Sequence, residues 1–360
     1  MLGIFLILLY LYLNLTRPPL PEGGGRAAGI ESVFSIYGWG SERFDSPNSV
    51  TVGPGGDIYI SDTGNHRIAV FDQDGDFRFS IGEKAADPAD QPKKGPLLLP
   101  LGLAVSARGE IYVASMERSL VLAFDNRGRL KRQMPVEKPI DLAIRDDELF
   151  ISTAGPIFVY SLGGKKKHEW GSKGRQLGAY EYPNGLAHDD EGNLFISDTQ
   201  NSRIQILDDK GSLKGVTGKP PKGLNDAARM FGLNMGLTLD DSQRVYVVDA
   251  FRHSIHVFDH SGNKLGEFGE QGELEGRFNY PSGIAHLGGG KFAVADKWND
   301  RVQIIRISVP GLEATAAPTV SLLYPYLLLA LLGILLVYLS WRRRRLSAGG
   351  AAPRSGEAAV

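Results

Sequence analysis

The sequence predicts an all-β chain whose main body is a six-bladed β-propeller, followed by a C-terminal transmembrane helix and preceded by an N-terminal hydrophobic segment. Three observations carry this expectation. The stretch SDTGNHRIAVFDQDG (Ser61 to Gly75) returns as SDTQNSRIQILDDKG (Ser197 to Gly211), VDAFRHSIHVFDHSG (Val248 to Gly262) and ADKWNDRVQIIRI (Ala295 to Ile307). Pro-x-Gly or a variant opens the units at Pro47, Pro100, Pro139, Pro183 and Pro281, and Asn234-Met235-Gly236 replaces it once, so units recur every 40 to 50 residues or so, roughly the length of a propeller blade. The composition, with Gly 45, Pro 20, Tyr 13 and 42% hydrophobic residues, fits short strands joined by tight turns, because Gly and Pro punctuate turns while aromatics favour strands.

The first unit reads as strands Ser49 to Val52, Asp57 to Ser61, Arg67 to Asp72 and Phe77 to Ile81. One such sheet cannot bury both faces alone, so the six units are expected to stack radially around a channel. The sixth unit stops after its third strand, Arg301 to Ile307. SVFSIYG (Ser32 to Gly38) repeats the fourth-strand pattern DFRFSIG (Asp76 to Gly82), and this N-terminal strand is expected to complete blade six and close the ring.

The predicted organisation is an N-terminal hydrophobic segment (1–16), a linker (17–30), the propeller (31–307), a second linker (308–319), a transmembrane helix (320–341) and a basic cytoplasmic tail (342–360). Val320 to Trp341 is uncharged and about as long as a bilayer core requires. Trp341 and the four arginines Arg342 to Arg345 supply the flanks of a span with a cytoplasmic C-terminus. Gly3 to Leu15 reads either as an uncleaved anchor or as the core of a cleaved signal peptide. The propeller is then extracytoplasmic and the protein belongs at the cell membrane. A formal net charge of -1 argues against a nucleic-acid partner. The absence of Cys removes disulfides, thiolate metal sites and a Cys nucleophile.

The repeated unit resembles the NHL-repeat family of β-propellers, through Asp62, Asn65, His66 and Arg67 within SDTGNHRIAVFD, over about residues 31–307. The resemblance implies an NHL-type six-bladed propeller. It leaves open a binding platform, a receptor sensor domain or a lyase, since a fold does not determine an activity.

The acid-base pairs Asp62 and Arg67, Asp198 and Arg203, and Asp296 and Arg301 share one five-residue spacing, which marks them as structural turn pairs rather than a catalytic set. The inner strands begin at Asn48, Leu101, Ile140, Asn184, Met235 and Ser282, and the channel-mouth candidates are Asn48, Asp141, Asn184 and Ser282. One carboxylate there is too few for zinc, calcium or acid–base chemistry, so no catalytic, cofactor-binding or metal-binding residue is assigned. The resemblance to amidating lyases and sugar lactonases of propeller fold fails at the channel, where those families place His, or Glu with Asn and Asp.

His188 in GLAH and His286 in GIAH occupy equivalent blade positions, and the remaining histidines, His66, His168, His253, His256 and His260, are placed in loops or outer strands. KKKHEW (Lys165 to Trp170) reads as a lysine-blunted outer strand or as a contact for anionic lipid or polymer. Insertions at Glu83 to Leu97 and Lys219 to Arg229 join a fourth strand to the next first strand. Both are therefore expected on the face that carries the Asp62-type turns, as binding loops or as neutral drift. The expected function is a membrane-tethered binding or scaffolding module, engaging a protein or small ligand at that face. The alternative is a metal-dependent lyase or hydrolase.

Overall fold

Six four-stranded antiparallel sheets follow the sequence units in order in the computed structural model, which describes residues 29–82, 97–218 and 230–309. Blade one is Pro47–Val52, Ile58–Asp62, Arg67–Phe71 and Phe77–Ile81. Blade two is Pro100–Val105, Ile111–Ser115, Leu120–Phe124 and Leu130–Pro135. Blade three is Leu142–Arg145, Glu148–Ser152, Ile157–Ser161 and Lys166–Trp170. Blade four is Pro183–His188, Leu194–Asp198, Arg203–Leu207 and Leu213–Gly218. Blade five is Asn234–Leu239, Val245–Asp249, Ser254–Phe258 and Lys264–Phe268. Blade six is Pro281–Gly288, Lys291–Asp296 and Arg301–Ile307, and its outermost strand is Ile30–Ile36 from the other end of the sequence.

The second strands of blades one to five carry an aromatic at an equivalent position, Tyr59, Tyr112, Phe150, Phe195 and Tyr246; blade six has Ala293 there and Phe292 one residue earlier, on the opposite face, and all six aromatics are buried. Both faces of these strands are covered, so the run reads apolar throughout rather than alternating. Burial is organised between blades. Each of six apolar clusters draws its side chains from two neighbouring sheets, as where Tyr246 and Val248 of blade five meet Ile284 and Phe292 of blade six. The Tyr246 and Phe292 rings lie 4.3 Å apart there.

The hairpins between third and fourth strands explain the recurring Asp-x-x-Gly. Asp72 Oδ1 accepts the N–H groups of Asp74 and Asp76, Asp208 Oδ1 those of Lys210 and Ser212, and Asp259 Oδ1 those of Ser261 and Asn263. The glycine that ends each turn has φ near +85°, a conformation open to Gly without steric cost. Asp189 in DDEG builds the same type of turn, accepting from Asn193 N.

The ring closes with an N-terminal strand as expected, but the strand is Ile30–Ile36 rather than Ser32 to Gly38, and Ile36 takes the place of Ile81, one residue off the register that matching SVFSIYG to DFRFSIG implies. Ile30–Ile36 pairs antiparallel with Arg301–Ile307, and Glu275 fastens it, its carboxylate accepting from the hydroxyls of Ser32, Ser35 and Tyr37 at 2.7 to 3.0 Å. Burial works against ionisation of Glu275, but the Ser35 and Ser32 hydroxyls and the Arg301 charge outweigh it and hold the pKa below the usual range.

Lys166–Trp170 of KKKHEW forms the outer edge of blade three, where Lys166 pairs with Glu169 and Lys167 with Glu148. The hydrophobic N-terminal segment, the linker at 17–28, both insertions (83–96 and 219–229) and everything from 310 onward, including Val320 to Trp341, lie outside the described residues. Among the described residues no helix is long and apolar enough to cross a membrane.

Candidate functional site

The turn pairs are built as braces. In blade one Arg67 Nε donates to Asp62 Oδ2 at 2.6 Å, and in blades four and six Arg203 and Arg301 make the same bond to Asp198 and Asp296 at 2.8 Å. Asn65, Asn201 and Asn299 add an amide donor to each carboxylate. The Nη2 groups reach backbone carbonyls of the linker entering the blade, Arg43 in blade one, Gln176 and Ala179 in blade four, Leu274 and Arg277 in blade six, while Nη1 donates to the Glu42 carboxylate in blade one, to Arg175 O in blade four and to the Tyr37 hydroxyl and Glu275 carboxylate in blade six. Burial dominates the acids and raises the pKa of Asp62, Asp198 and Asp296, against the pull of these donors.

Two further turn positions, the first and the fourth after the aspartate, tie neighbouring blades. The Thr63 and Thr199 hydroxyls donate to Pro100 O and Asn234 O of the following blade. His66 Nδ1 accepts Leu99 N, His253 Nδ1 accepts Tyr280 N, and Asp300 Oδ1 accepts Ser46 N. Each of those N–H groups belongs to a left-handed residue just ahead of an inner strand, at φ 45°, 54° and 51°. Non-glycine residues rarely hold that conformation, and the latch from the preceding blade supports it. All four signature residues of the first repeat thus serve architecture.

The inner strands enclose a channel cavity of about 320 Å³, at the small end of ligand pockets. All four channel-mouth candidates line it, but their side chains divide. Ser282 is turned into the wall, where its hydroxyl donates to Asn48 O at 2.7 Å, so it is bracing rather than a free group. Asn184 spends its amide on Tyr182 O and Thr199 Oγ1. Asn48 offers Oδ1 to the ammonium of Lys297 at 3.1 Å.

Asp141 stands apart. The equivalent positions of the other blades hold Ser49, Gly102, Gly185, Gly236 and Gly283. Its Oδ2 accepts Leu186 N of blade four at 2.9 Å, while Oδ1 fills space that a Cβ on Gly102 would contest at 2.5 Å. Burial pushes its pKa up to about 7, against the Leu142 and Leu186 N–H groups. His188 also lines the cavity, its ring 4.5 Å from Phe150, and burial with the nearby Arg145 charge pushes it down to about 4. Among the described residues no three His, Asp or Glu side chains converge as a metal site would need.

Two features were not anticipated from the sequence. His256 lies inside blade five rather than at its periphery: it is wholly buried, in the position that Gln205 and Gln303 hold in blades four and six. Each of those glutamines donates to the brace carboxylate and to a linker carbonyl. His256 approaches Asp249 and Glu267 only to 3.5 Å, and burial pushes it down to about 4 against their pull.

The second is an aromatic strip on the face of the Asp62-type turns. Phe251 and Trp298, two residues beyond the turn aspartates, are 59% and 58% exposed. Tyr280 bridges them, stacked on Trp298 at 4.4 Å and edge-on to Phe251 at 5.9 Å. Leu177 and Leu274 of the interblade linkers are similarly exposed, at 59% and 57%. The described residues flanking both insertions, Gly82 and Leu97, then Gly218 and Met230, sit at strand ends of this same face, as the pairing of Ile68 with Ile81 and Arg203 with Gly218 requires.

Comparison with known proteins agrees with this architecture. NHL repeat-containing protein 2 of Gallus gallus is 25% identical over 72% of this chain and 46% of its own length, so the chain spans about half of the curated relatives it matches. Protein brain tumor of Drosophila melanogaster is 26% identical over 50% of this chain and 13% of its own length. A catalytically inactive histidine-to-alanine form of virginiamycin B lyase from Staphylococcus aureus, solved with quinupristin, superposes with a TM-score of 0.52 at 13% identity, over 74% of this chain and 83% of that one; this likeness concerns the fold alone. Residues 44–71 match the NHL repeat, and the chain is a six-bladed β-propeller similar to NHL repeat-containing proteins.

Proposed function

We propose that the chain is a binding or scaffolding propeller that captures a partner protein on the face of the Asp62-type turns. The observation that carries this reading is the exposed Phe251–Tyr280–Trp298 strip beside the channel mouth. Large aromatics left in water on one face of a rigid scaffold are characteristic of interaction surfaces, where they serve as anchors. The interblade bonding supports it, because it holds that face rigid and so lowers the ordering cost of association. Tethering by Val320 to Trp341, with the propeller outside and Val360 inside, completes the proposal.

The test is recovery of partners from solubilised membranes by the full chain. The double variant Phe251→Asp with Trp298→Asp should fold as the parent does and lose them, as should shortening of 83–94 and 219–229. Recovery by all variants alike refutes the assignment of the face. Protease applied to intact cells should spare a tag at Val360; its loss before permeabilisation reverses the orientation.

A lyase or hydrolase is the second reading, favoured by one observation. Asp141 and His188 line one cavity with pKa values of about 7 and about 4, environments that drive two groups apart as acid–base pairs require. Stoichiometric metal in the purified protein would support it.

A further inference from the structure

We propose that Lys297 and the aromatic strip form one seat for an acidic segment of the partner protein, with a carboxylate at the ammonium and an apolar ring against Trp298. This rests on the turn-bearing face being the partner surface.

Lys297 departs from its repeat. The equivalent positions in blades one and four are Thr63 and Thr199, whose hydroxyls close directly on the next blade. The longer Lys297 side chain reaches across to Asn48 Oδ1, a neutral acceptor at the channel rim. Among the described residues no carboxylate lies within the ion-pair distance of its ammonium; Lys131, Lys166, Lys167, Lys214 and Lys264 each have one, and of the other lysines without one Lys138, Lys165, Lys173 and Lys210 are exposed and Lys291 is partly buried. Lys297 is partly buried, and that burial lowers its pKa. A cation that has shed part of its water and holds one neutral acceptor gains most from an incoming anion, since charge-assisted hydrogen bonds strengthen as solvent is excluded.

The neighbouring acids are engaged elsewhere. Asp296 is bound to Arg301, and Asp300 accepts Ser46 N. The ammonium lies 5.9 Å from the centre of the Tyr280 ring, and Trp298 stacks on the same ring at 4.4 Å, so charge and apolar surface are continuous. A peptide fits this arrangement better than a nucleic acid, which would need several cations along its phosphates. Glu273 and Asp300 on the adjoining loops are exposed acids, which disfavours a polyanion further.

The experiment selects random peptides displayed on phage against the full chain in detergent micelles, in parallel with Lys297→Gln, Lys297→Arg and Trp298→Ala. The parent should enrich peptides with Asp or Glu next to Phe, Tyr, Trp or Pro. These should bind Lys297→Gln and Trp298→Ala about tenfold more weakly and Lys297→Arg nearly as well, as loss of one charge-assisted bond or one stacked ring implies. Far-ultraviolet circular dichroism identical to the parent confirms that each variant folds.

Three results overturn the proposal: no peptide enrichment, enrichment without acids, or equal binding to Lys297→Gln. Lys297-dependent capture of single-stranded polyuridylate in place of peptides also overturns it and assigns the seat to nucleic acid. If capture of membrane partners fails with Phe251→Asp and Trp298→Asp but survives Lys297→Gln, the face is right and the acidic seat is wrong. Survival in every variant removes both.

Discussion

Replacing Asp141 by Asn should make the propeller more stable at neutral pH, and the gain should depend on pH in a defined way. The carboxyl titrates at 3.8 when unfolded and at about 7 in the folded protein, because burial disfavours its charged form. Below the lower value both states are protonated and the residue is neutral to stability. As pH rises between the two values the unfolded chain loses this proton and the folded chain retains it, so stability falls until the folded group also ionises. The displacement corresponds to about 4 kcal/mol, taking 1.36 kcal/mol per pH unit. That is a ceiling, because the side chain is only partly buried and borders the channel cavity.

Asn keeps an oxygen for Leu186 N and carries no charge, so the variant should lack this component. Urea unfolding of the full chain, followed by circular dichroism, should show a stability difference that grows from near zero around pH 4 to about 2–4 kcal/mol around pH 8. A difference that does not change across that range would refute the placement of an unpaired carboxyl in the channel wall.

His256→Gln should remove an acid sensitivity of opposite sign. The imidazole pKa falls from 6.5 to about 4 on folding, so its contribution is intact above 6.5 and is lost as pH drops toward 4; glutamine in the same place should flatten the acid limb and add about 1 kcal/mol at neutral pH. Removal of the closing strand should cost at least about 3 kcal/mol, the burial of Ile30 and Ile36 alone, when a chain starting at Gly29 is compared with one starting at Glu42 in thermal unfolding. Equal midpoints would show that Ile30–Ile36 does not complete blade six. Arg203→Met should destabilise by about 3–5 kcal/mol in urea unfolding, because it strands the buried Asp198 charge. A loss below about 1 kcal/mol would mean the brace is decorative.

The architecture was legible in the sequence because each blade must satisfy the same constraints. The apolar second strand, the Asp-x-x-Gly hairpin and the Asp-to-Arg spacing recur since each solves one local problem, and repetition separates them from chance. Even ring closure could be inferred, because a sixth unit with three strands leaves an edge that Ser32 to Gly38 matches, one residue off register. Blade three shows the converse. Its unit lacks the pair, yet its four strands form on a buried apolar second strand and on Phe150 packed against Trp170, so the brace helps the fold without defining it.

The channel was less legible, because residue type at an inner strand does not say which way the polar group bonds. Ser282 and Asn48 look alike in sequence, but the Ser282 hydroxyl seals the wall while Asn48 meets an ammonium. Asp141 could be singled out only as the acid in a ring of four glycines and a serine, and its bond to Leu186 required the blade-to-blade register. The aromatic strip was hidden for a different reason. Phe251, Tyr280 and Trp298 are far apart in sequence, and each looks like one bulky residue in a turn. Aligned on the turn aspartate, however, the second position reads Gly64, Gln200, Phe251 and Trp298, and the first reads Thr63, Thr199, Ala250 and Lys297. Two adjacent blades thus depart from the repeat at the positions that cost the fold least, and the departures meet in space through Tyr280. In a repeat protein the conserved pattern explains stability, so function is better sought where neighbouring units break the pattern together without breaking the blade.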